Sequence, residues 1–506
     1  MANILHELFA GGWRAAVKVP GVAIALGAFY VIALIVYNIY FHPLARFPGP
    51  KHFAASRIPY LRAVVDGRLA QTLKALHEEY GEVVRIAPDE LAFTNGDAWK
   101  AIYGTRTGHG QKQKDMRVFP PPPNGHPTII QSNDADHSRF RRLLSHAFSE
   151  ASLRGQEPII KGYIDLLIQR LHEQSNGGQP VDMVSWYNFT TFDIIGDLTF
   201  GKPFGCLQNS QYHQWVAAIV GHVKYGAYAN VFRRFPSLKL LLQMFIPKRV
   251  AECREWHLAT TKKKVEDRLE SSNERPDFFS HILKHHDTEK GMSFGELQSN
   301  AGTLVVAGSE TTATLLSGAT YYLLKTPRVL ERLQGEVRSA FDSDSQIALA
   351  SCNKLTYLNA VINEALRMYP PVGVGLPRIV DAQGDTIAGE WVPPGTIVSV
   401  SQMAAYHSAA NFTDPGSFIP ERFLDDPRFE MDSKTVLQPF SFGPRNCIGR
   451  NLAYVEMRSI LARMVFNFDM QLHDPSVAWE DQANFVLWNK PALPVVLKPR
   501  FPRKQG

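Results

Sequence analysis

The sequence is poor in cysteine, lacks a dinucleotide fingerprint and has no strong charge imbalance, and each shortage removes a class of protein. Four cysteines (Cys206, Cys253, Cys352 and Cys447) in 506 residues do not make a disulfide framework. None belongs to a CxxC pair and no Cys/His cluster has zinc spacing, so a structural zinc site is excluded and a reducing compartment is the simpler setting. Without a Gly-rich nucleotide-binding loop, a nicotinamide cofactor has to bind another protein. Lys and Arg number 54 against 48 Asp and Glu, a net charge of +6 that is too small and too scattered for a nucleic-acid surface. The run Lys262, Lys263, Lys264 reads as a solvated helix face. There is no repeat, no low-complexity tract and no second linker, so the chain reads as one large unit despite its length.

What the sequence does have begins with a long apolar run. Residues 20–41 (PGVAIALGAFYVIALIVYNIYF) carry no charge, and a helix of that length reaches across a hydrocarbon core of ~30 Å. A cleaved signal peptide would need a shorter apolar region and a small-residue exit; Tyr37, Tyr40 and Phe41 stand there instead, and tyrosines suit a membrane interface. Arg14 and Lys18 precede the run, whereas Arg46, Lys51, Arg57 and Arg62 follow it, which orients the bulk of the chain to the cytosol. The sequons at Asn188 and Asn411 should then remain unglycosylated. The expected division is a lumenal segment at 1–19, an anchor at 20–41, a stiff proline-rich linker at 42–52 and a catalytic domain at 53–506. Pro120 to Pro123 reads as a loop.

Helical periodicity dominates the rest: 134–149, 155–174, 184–200, 248–271 and 355–369 all read as helices. The longest runs from Ser293, with Glu296 completing a capping box, to a stop at Pro327. Short β-branched runs at 83–86, 91–94, 397–400 and 494–497 predict minor sheets. The fold class is mainly α with small β-sheets, a single large domain behind a transmembrane helix.

Chemistry concentrates in Phe440-Ser-Phe-Gly-Pro-Arg-Asn-Cys-Ile-Gly449. A cysteine flanked by Gly443 and Gly449 and followed by a helix suits a backbone that passes close to something flat. Amides at the helix start should keep Cys447 as a thiolate. A thiolate on haem iron favours O–O cleavage, and Arg445 is placed to pair with a haem propionate. This segment resembles the haem-binding loop of the cytochrome P-450 superfamily. The chain is similar to its microsomal fungal type, and within that to the isotrichodermin hydroxylase-like group, from the anchor to the C-terminus.

The resemblance implies a cytochrome P-450 fold, haem b ligated by Cys447, and contacts to it from Phe440 and Gly449. Glu364 and Arg367, three apart on one helix, match the family's ExxR pair, and Arg422 in Pro420-Glu-Arg-Phe423 completes its Glu–Arg–Arg cluster, with a structural role. Ala307-Gly-Ser-Glu-Thr-Thr312 matches the oxygen-activation segment: Gly308 leaves room for dioxygen, Thr311 hydrogen-bonds the activated oxygen, and Glu310 relays protons from solvent. The bland alternative is a threonine-rich stretch that bends a helix by back-bonding. His137 stands where the family often has tryptophan; with Arg141 one turn on, and Arg378, it is assigned to the propionates. Arg139 and Arg142 read as a solvated helix face, the alternative being that they meet the acidic surface of a reductase.

By the same analogy the pocket is walled near Phe119, Leu304 to Ser309, Val372 to Leu376 and Phe485 to Leu487, which is apolar and implies a hydrophobic small-molecule substrate. The implied reaction inserts one oxygen atom of dioxygen, with NADPH electrons from a separate flavoprotein reductase at the endoplasmic reticulum membrane. The rivals are a reductase-independent haem-thiolate isomerase or dehydratase, against which Glu310 and Thr311 speak, and a non-enzymatic haem binder. Hydroxylation, epoxidation, ring expansion and oxidative coupling stay open.

Overall fold

The structure is a computed structural model that describes residues 22–105, 110–119, 122, 124–175, 177–216, 223–234, 248–271, 275–283 and 291–501. The lumenal segment 1–19, the first two residues of the expected anchor and three of the four residues in the Pro120 to Pro123 loop lie outside them. The apolar helix Val22–Phe41, of mean hydropathy 2.3, is exposed along nearly its whole length, as a lipid-facing helix would be.

The linker differs from expectation. It folds in tight turns onto the domain: Leu44 and Phe47 are buried, and a helix, Lys51–Ala55, begins inside it. The last turn of the apolar helix is docked too. The buried Asn38 donates from Nδ2 to the Ala55 carbonyl at 3.0 Å, and its own carbonyl accepts from Arg85 Nη1 at 2.8 Å. Two apolar side chains that can reach the core outweigh the stiffness of the prolines.

Helices make the body of the domain. Phe294–Lys325 is its axis, ~48 Å long at 1.5 Å per residue. The predicted capping box is formed: Ser293 Oγ accepts from the Glu296 amide at 3.4 Å, and Glu296 Oε2 accepts from the Ser293 amide at 2.9 Å. Met183–Phe200, buried on every side, packs along this axis, and Arg450–Asn467 and Thr356–Met368 pack against other stretches of it. The expected 134–149 helix stops at Ser145, passes through a 3-10 turn, and a new helix, Glu150–Gln174, starts where Ser149 Oγ accepts from the Ser152 amide at 3.2 Å. That cap moves the second helix start five residues ahead of the periodicity.

Among the described residues, three small sheets frame the helices. The largest runs in the order Val83–Ala87, Glu90–Phe93, Ile397–Val400, Arg378–Ile379, Gln113–Lys114, with only the Glu90–Phe93 and Ile397–Val400 pair parallel. Its edge register sets Lys114 directly opposite Arg378. Pro494–Pro499 lies between Val181–Asp182 and Phe468–Leu472, and a hairpin joins Asp385–Ile387 to Glu390–Val392. Both sequon asparagines are buried, with amides given to Tyr212 Oη (Asn188) and to the Thr94 and Ala405 carbonyls (Asn411). Lys262 is exposed as expected, but Lys264 lies over the rings of Phe204 (4.6 Å) and Phe200 (5.6 Å), so the lysine run is only partly a solvated face.

Candidate active site

The cysteine loop is held by its own backbone. The Cys447 amide donates to the Phe440 carbonyl at 2.8 Å, and the Phe440 ring packs on Tyr454 of the following helix, centroids 5.2 Å apart. Gly443 has φ +76°, and a Cβ there would lie 2.0 Å from the Tyr103 carbonyl oxygen, so no other residue fits. Gly449 caps the helix Arg450–Asn467; a Cβ on it would meet Cys447 Sγ only at 3.9 Å, so the protein itself leaves room there.

Cys206 and Cys352 are buried, whereas Cys447 is exposed although it lies deep in the fold: it opens onto internal space. Its surroundings still push the thiol up, and the Gly449 amide with Arg141 and Arg450 offsets this only in part. Burial is the largest influence and outweighs the amide and the two flanking cations, whereas a metal ion that coordinates a thiol ionises it outright.

Around the loop the structure gathers cations with too few acids. Arg445 gives Nε to Gln111 Oε1 (3.1 Å) and Nη2 to the Ser132 carbonyl (3.0 Å) and Asp134 (2.7 Å), but its Nη1 is buried with no partner among the described residues. Arg378 is 5% exposed, has no ion pair among the described residues and makes one long contact, 3.4 Å, to the Pro377 carbonyl. Its guanidinium lies over Tyr103, and burial first, with Arg445 adding, pulls its pKa down. Lys114, its cross-strand neighbour, gives Nζ to the Ile130 carbonyl; burial, then Arg445 and Arg378, lowers it to about 7. Burial and then Arg445, Lys114 and Arg141 hold His137 neutral, at about 4. Sequence reading missed Lys114, because no motif surrounds it and only the register brings it to Arg378. Crowded, under-paired cations of this kind are costly until an anion arrives. The orphaned Arg445 Nη1 and the unpaired Arg378 fit the carboxylates of a haem.

Arg141 is placed differently from the expectation. Its guanidinium holds Asn446, donating from Nη1 to the carbonyl at 2.7 Å and from Nη2 to the side chain, so it braces the residue before Cys447. Arg139 is not solvated: it pairs with Asp136 (2.8 Å) and Glu296 (2.7 Å) and donates to the Gly291 carbonyl, tying its helix to the start of the long one. Arg142 is exposed as expected.

The Glu–Arg–Arg cluster forms with no exposure at all. Arg367 donates from Nε and Nη2 to the two oxygens of Glu364 at 2.8 and 2.7 Å, and Arg422 Nε reaches Glu364 at 3.1 Å. Arg367 also donates to the carbonyls of Tyr406, Pro415 and Ser417, which pins the chain leading to the cysteine loop. Asp432, unread in the sequence, takes the other face of Arg422 and balances the charges at two and two.

On the long helix, Ala307 is exposed and Thr303, Val306 and Thr311 are half-buried amid buried neighbours, so one stripe faces internal space. Thr311 Oγ1 donates to the Ala307 carbonyl at 2.7 Å: the hydroxyl does back-bond, and its lone pairs remain free to accept. Thr312 points away, to the buried Glu456, whose carboxyl is pushed up to about 8 by burial and so stays neutral at pH 7. Two assignments change. A Cβ on Gly308 would strike Ile195 Cδ1 at 2.7 Å and Cγ1 at 3.0 Å, so the missing side chain serves helix packing. Glu310 is 2% exposed and paired with Lys490 at 2.9 Å, so it has no direct path to bulk solvent.

Of the residues expected to wall the pocket, Phe119, Val372, Leu376, Phe485 and Leu487 are half-buried and Leu304, Val305, Ser309 and Val374 are buried, while Val486 is exposed with φ 88°, an unfavourable conformation for a β-branched residue. Comparison with known proteins identifies the family. The family model for cytochrome P-450 matches residues 48–496. The cytochrome P-450 monooxygenase astA of Talaromyces wortmannii is 48% identical over 94% of this chain and 96% of its own. The corresponding figures are 47%, 95% and 94% for the monooxygenase lcsI of Purpureocillium lilacinum, and 44%, 98% and 94% for averantin hydroxylase of Dothistroma septosporum. With a cysteine loop opening inward, under-paired cations beside it and a threonine stripe on the axial helix, the chain belongs to the cytochrome P-450 family of monooxygenases, an oxidoreductase with relatives in fungal secondary metabolism.

Proposed function

We propose that the protein binds haem b through Cys447 and inserts one oxygen atom of dioxygen into a hydrophobic secondary-metabolite intermediate, using NADPH electrons from a separate flavoprotein reductase. The observation that carries this reading is the exposed Cys447 beside the under-paired cations Arg445 and Arg378. Haem, when bound, supplies the activation of dioxygen; the protein supplies the ligand, orientation and protons. Arg445, Arg378 and Lys114 hold the propionates, with neutral His137 as a further donor, and Arg141 keeps Asn446 and hence Cys447 in place. Phe440 and Gly449 shape the ligand loop. Glu364, Arg367 and Arg422 hold that loop against the core, and loss of one partner from such a buried cluster costs ~3–5 kcal/mol. Thr311 presents a hydroxyl oxygen to the reacting site, and Glu310 passes protons toward it. A relative named for averantin hydroxylation favours hydroxylation over rearrangement or coupling. The apolar helix Val22–Phe41 anchors the domain on the cytosolic side of the endoplasmic reticulum.

Microsomes containing the wild type should show the red-shifted band of a thiolate-ligated haem after reduction and carbon monoxide, and reductase-dependent NADPH consumption. Cys447→His should lose the band and keep the folded chain. Retention of the band by this variant rules out Cys447 as ligand, and product without NADPH supports the isomerase rival.

A further inference from the structure

Lys490 belongs to no motif, yet it makes a deeply buried contact to the oxygen-activation segment. Its Nζ donates to Glu310 Oε2 at 2.9 Å and to Thr314 Oγ1 at 2.8 Å, and the two charged side chains are 3% and 2% exposed. Glu310 and Thr314 are one helical turn apart, so the ammonium spans that turn from outside. At 100° per residue Thr314 stands about 60° around the helix from Thr311, so this contact borders the stripe that faces internal space. The second carboxylate oxygen, Glu310 Oε1, is buried and has no partner among the described residues.

A buried ion pair is a poor source of stability, because apolar residues of the same volume fill such space at less cost. An orphaned acceptor beside it adds a further penalty. The arrangement therefore points to a task for the carboxylate. Lys490 is also well placed to fix it. It follows the pocket-wall segment Phe485 to Leu487, whose end is pinned by Trp488 Nε1 to the Pro370 carbonyl (2.8 Å) and by the Asn489 amide to the Ala483 carbonyl (2.9 Å). Its backbone then enters the strand Pro494–Pro499.

We propose that Lys490 is a positioning residue for proton delivery. It clamps Glu310 through Oε2, so that Oε1 is the oxygen left to exchange protons on the Thr311 side. The assignment rests on the reading of Glu310 as the proton relay. The clamp is a lysine from the C-terminal loop, not a group on the helix itself, so the carboxylate cannot swing without moving a segment held at both ends.

The test uses the full-length protein with reductase, and compares Lys490→Met, Lys490→Arg, Glu310→Gln and the double variant Glu310→Gln/Lys490→Met. With no substrate added, NADPH oxidation is followed in H2O and D2O, and thermal unfolding is measured in parallel. Lys490→Met should slow NADPH oxidation by on the order of 10-fold or more, the scale of a misplaced catalytic group, and enlarge the solvent isotope effect. Lys490→Arg should recover much of the rate. The double variant should regain thermal stability relative to Lys490→Met, because it leaves no buried charge alone, yet stay as slow as Glu310→Gln. If Glu310→Gln is slow with an enlarged isotope effect while Lys490→Met matches the wild type, Lys490 is only structural and the proposal is overturned. If Glu310→Gln itself leaves rate and isotope effect unchanged, the relay reading fails first and the clamp fails with it.

Discussion

Gly308→Ala separates a packing glycine from one that makes room for dioxygen. The new Cβ would sit 2.7 Å from Ile195 Cδ1 and 3.0 Å from Cγ1, and Ile195 is itself 1% exposed on a helix buried on every side. Overpacking of this kind costs ~1–3 kcal/mol. Replacing a mid-helix glycine by alanine returns about 1 kcal/mol of helix propensity, so the net loss should be about 1 kcal/mol. Ile195→Val removes Cδ1, the nearer contact, at a cost of ~0.5–1.5 kcal/mol when made alone. The two changes should couple favourably by about 1 kcal/mol, so that Gly308→Ala costs less in the Ile195→Val background. A large protein of this kind is best followed by thermal inactivation rate, read as decay of the carbon monoxide band in all four forms. Hydrogen peroxide released per NADPH should stay near the wild-type value throughout. Additive effects on stability, or a rise in peroxide with no loss of stability, would refute the packing assignment and restore the glycine to the oxygen site.

Three further outcomes are expected. Thr311→Ala should bind haem and consume NADPH at a comparable rate while product per NADPH falls and peroxide rises; Thr312→Ala should leave that partition alone, since its hydroxyl meets Glu456. In the haem-free protein Lys114 has its pKa lowered to about 7, so the unfolded chain binds the proton more strongly above that and stability rises from pH 7 toward the ordinary lysine range. Propionate binding favours the charged form, so haem uptake takes up a proton and haem affinity should fall as pH rises above 7; transfer of haem to a scavenging apoprotein checks this, and Lys114→Arg, which stays charged, should flatten the dependence. Removal of residues 1–41 should release much of the protein from sedimenting membranes with haem binding retained, and protease added to intact microsomes should digest the full-length domain; complete protection refutes the cytosolic orientation.

The division between what sequence and tertiary structure determine follows the range of the interactions. Elements governed by neighbours a few residues away are legible in the chain itself: the capping box at Ser293, the stop before Pro327, the Glu364–Arg367 pair on one helical face, and the turn of Thr312 away from Thr311 all follow from helical geometry. The Cys447 loop is legible because the positive φ of Gly443 and the closing amide to Phe440 lie within ten residues, although the close approach of Tyr103 to Gly443 does not. What only the tertiary structure decided joins distant parts of the chain. Asp432 on Arg422, Lys114 opposite Arg378, Arg141 on Asn446, Ile195 against Gly308 and Lys490 on Glu310 carry no local pattern. The linker prolines predicted a stiff spacer, but burial of Leu44 and Phe47 drew that segment onto the domain. Local backbone preference is written residue by residue, whereas the partner of a buried charge or the neighbour of a glycine is fixed only when remote segments pack, since desolvation and close contact are properties of the assembled core.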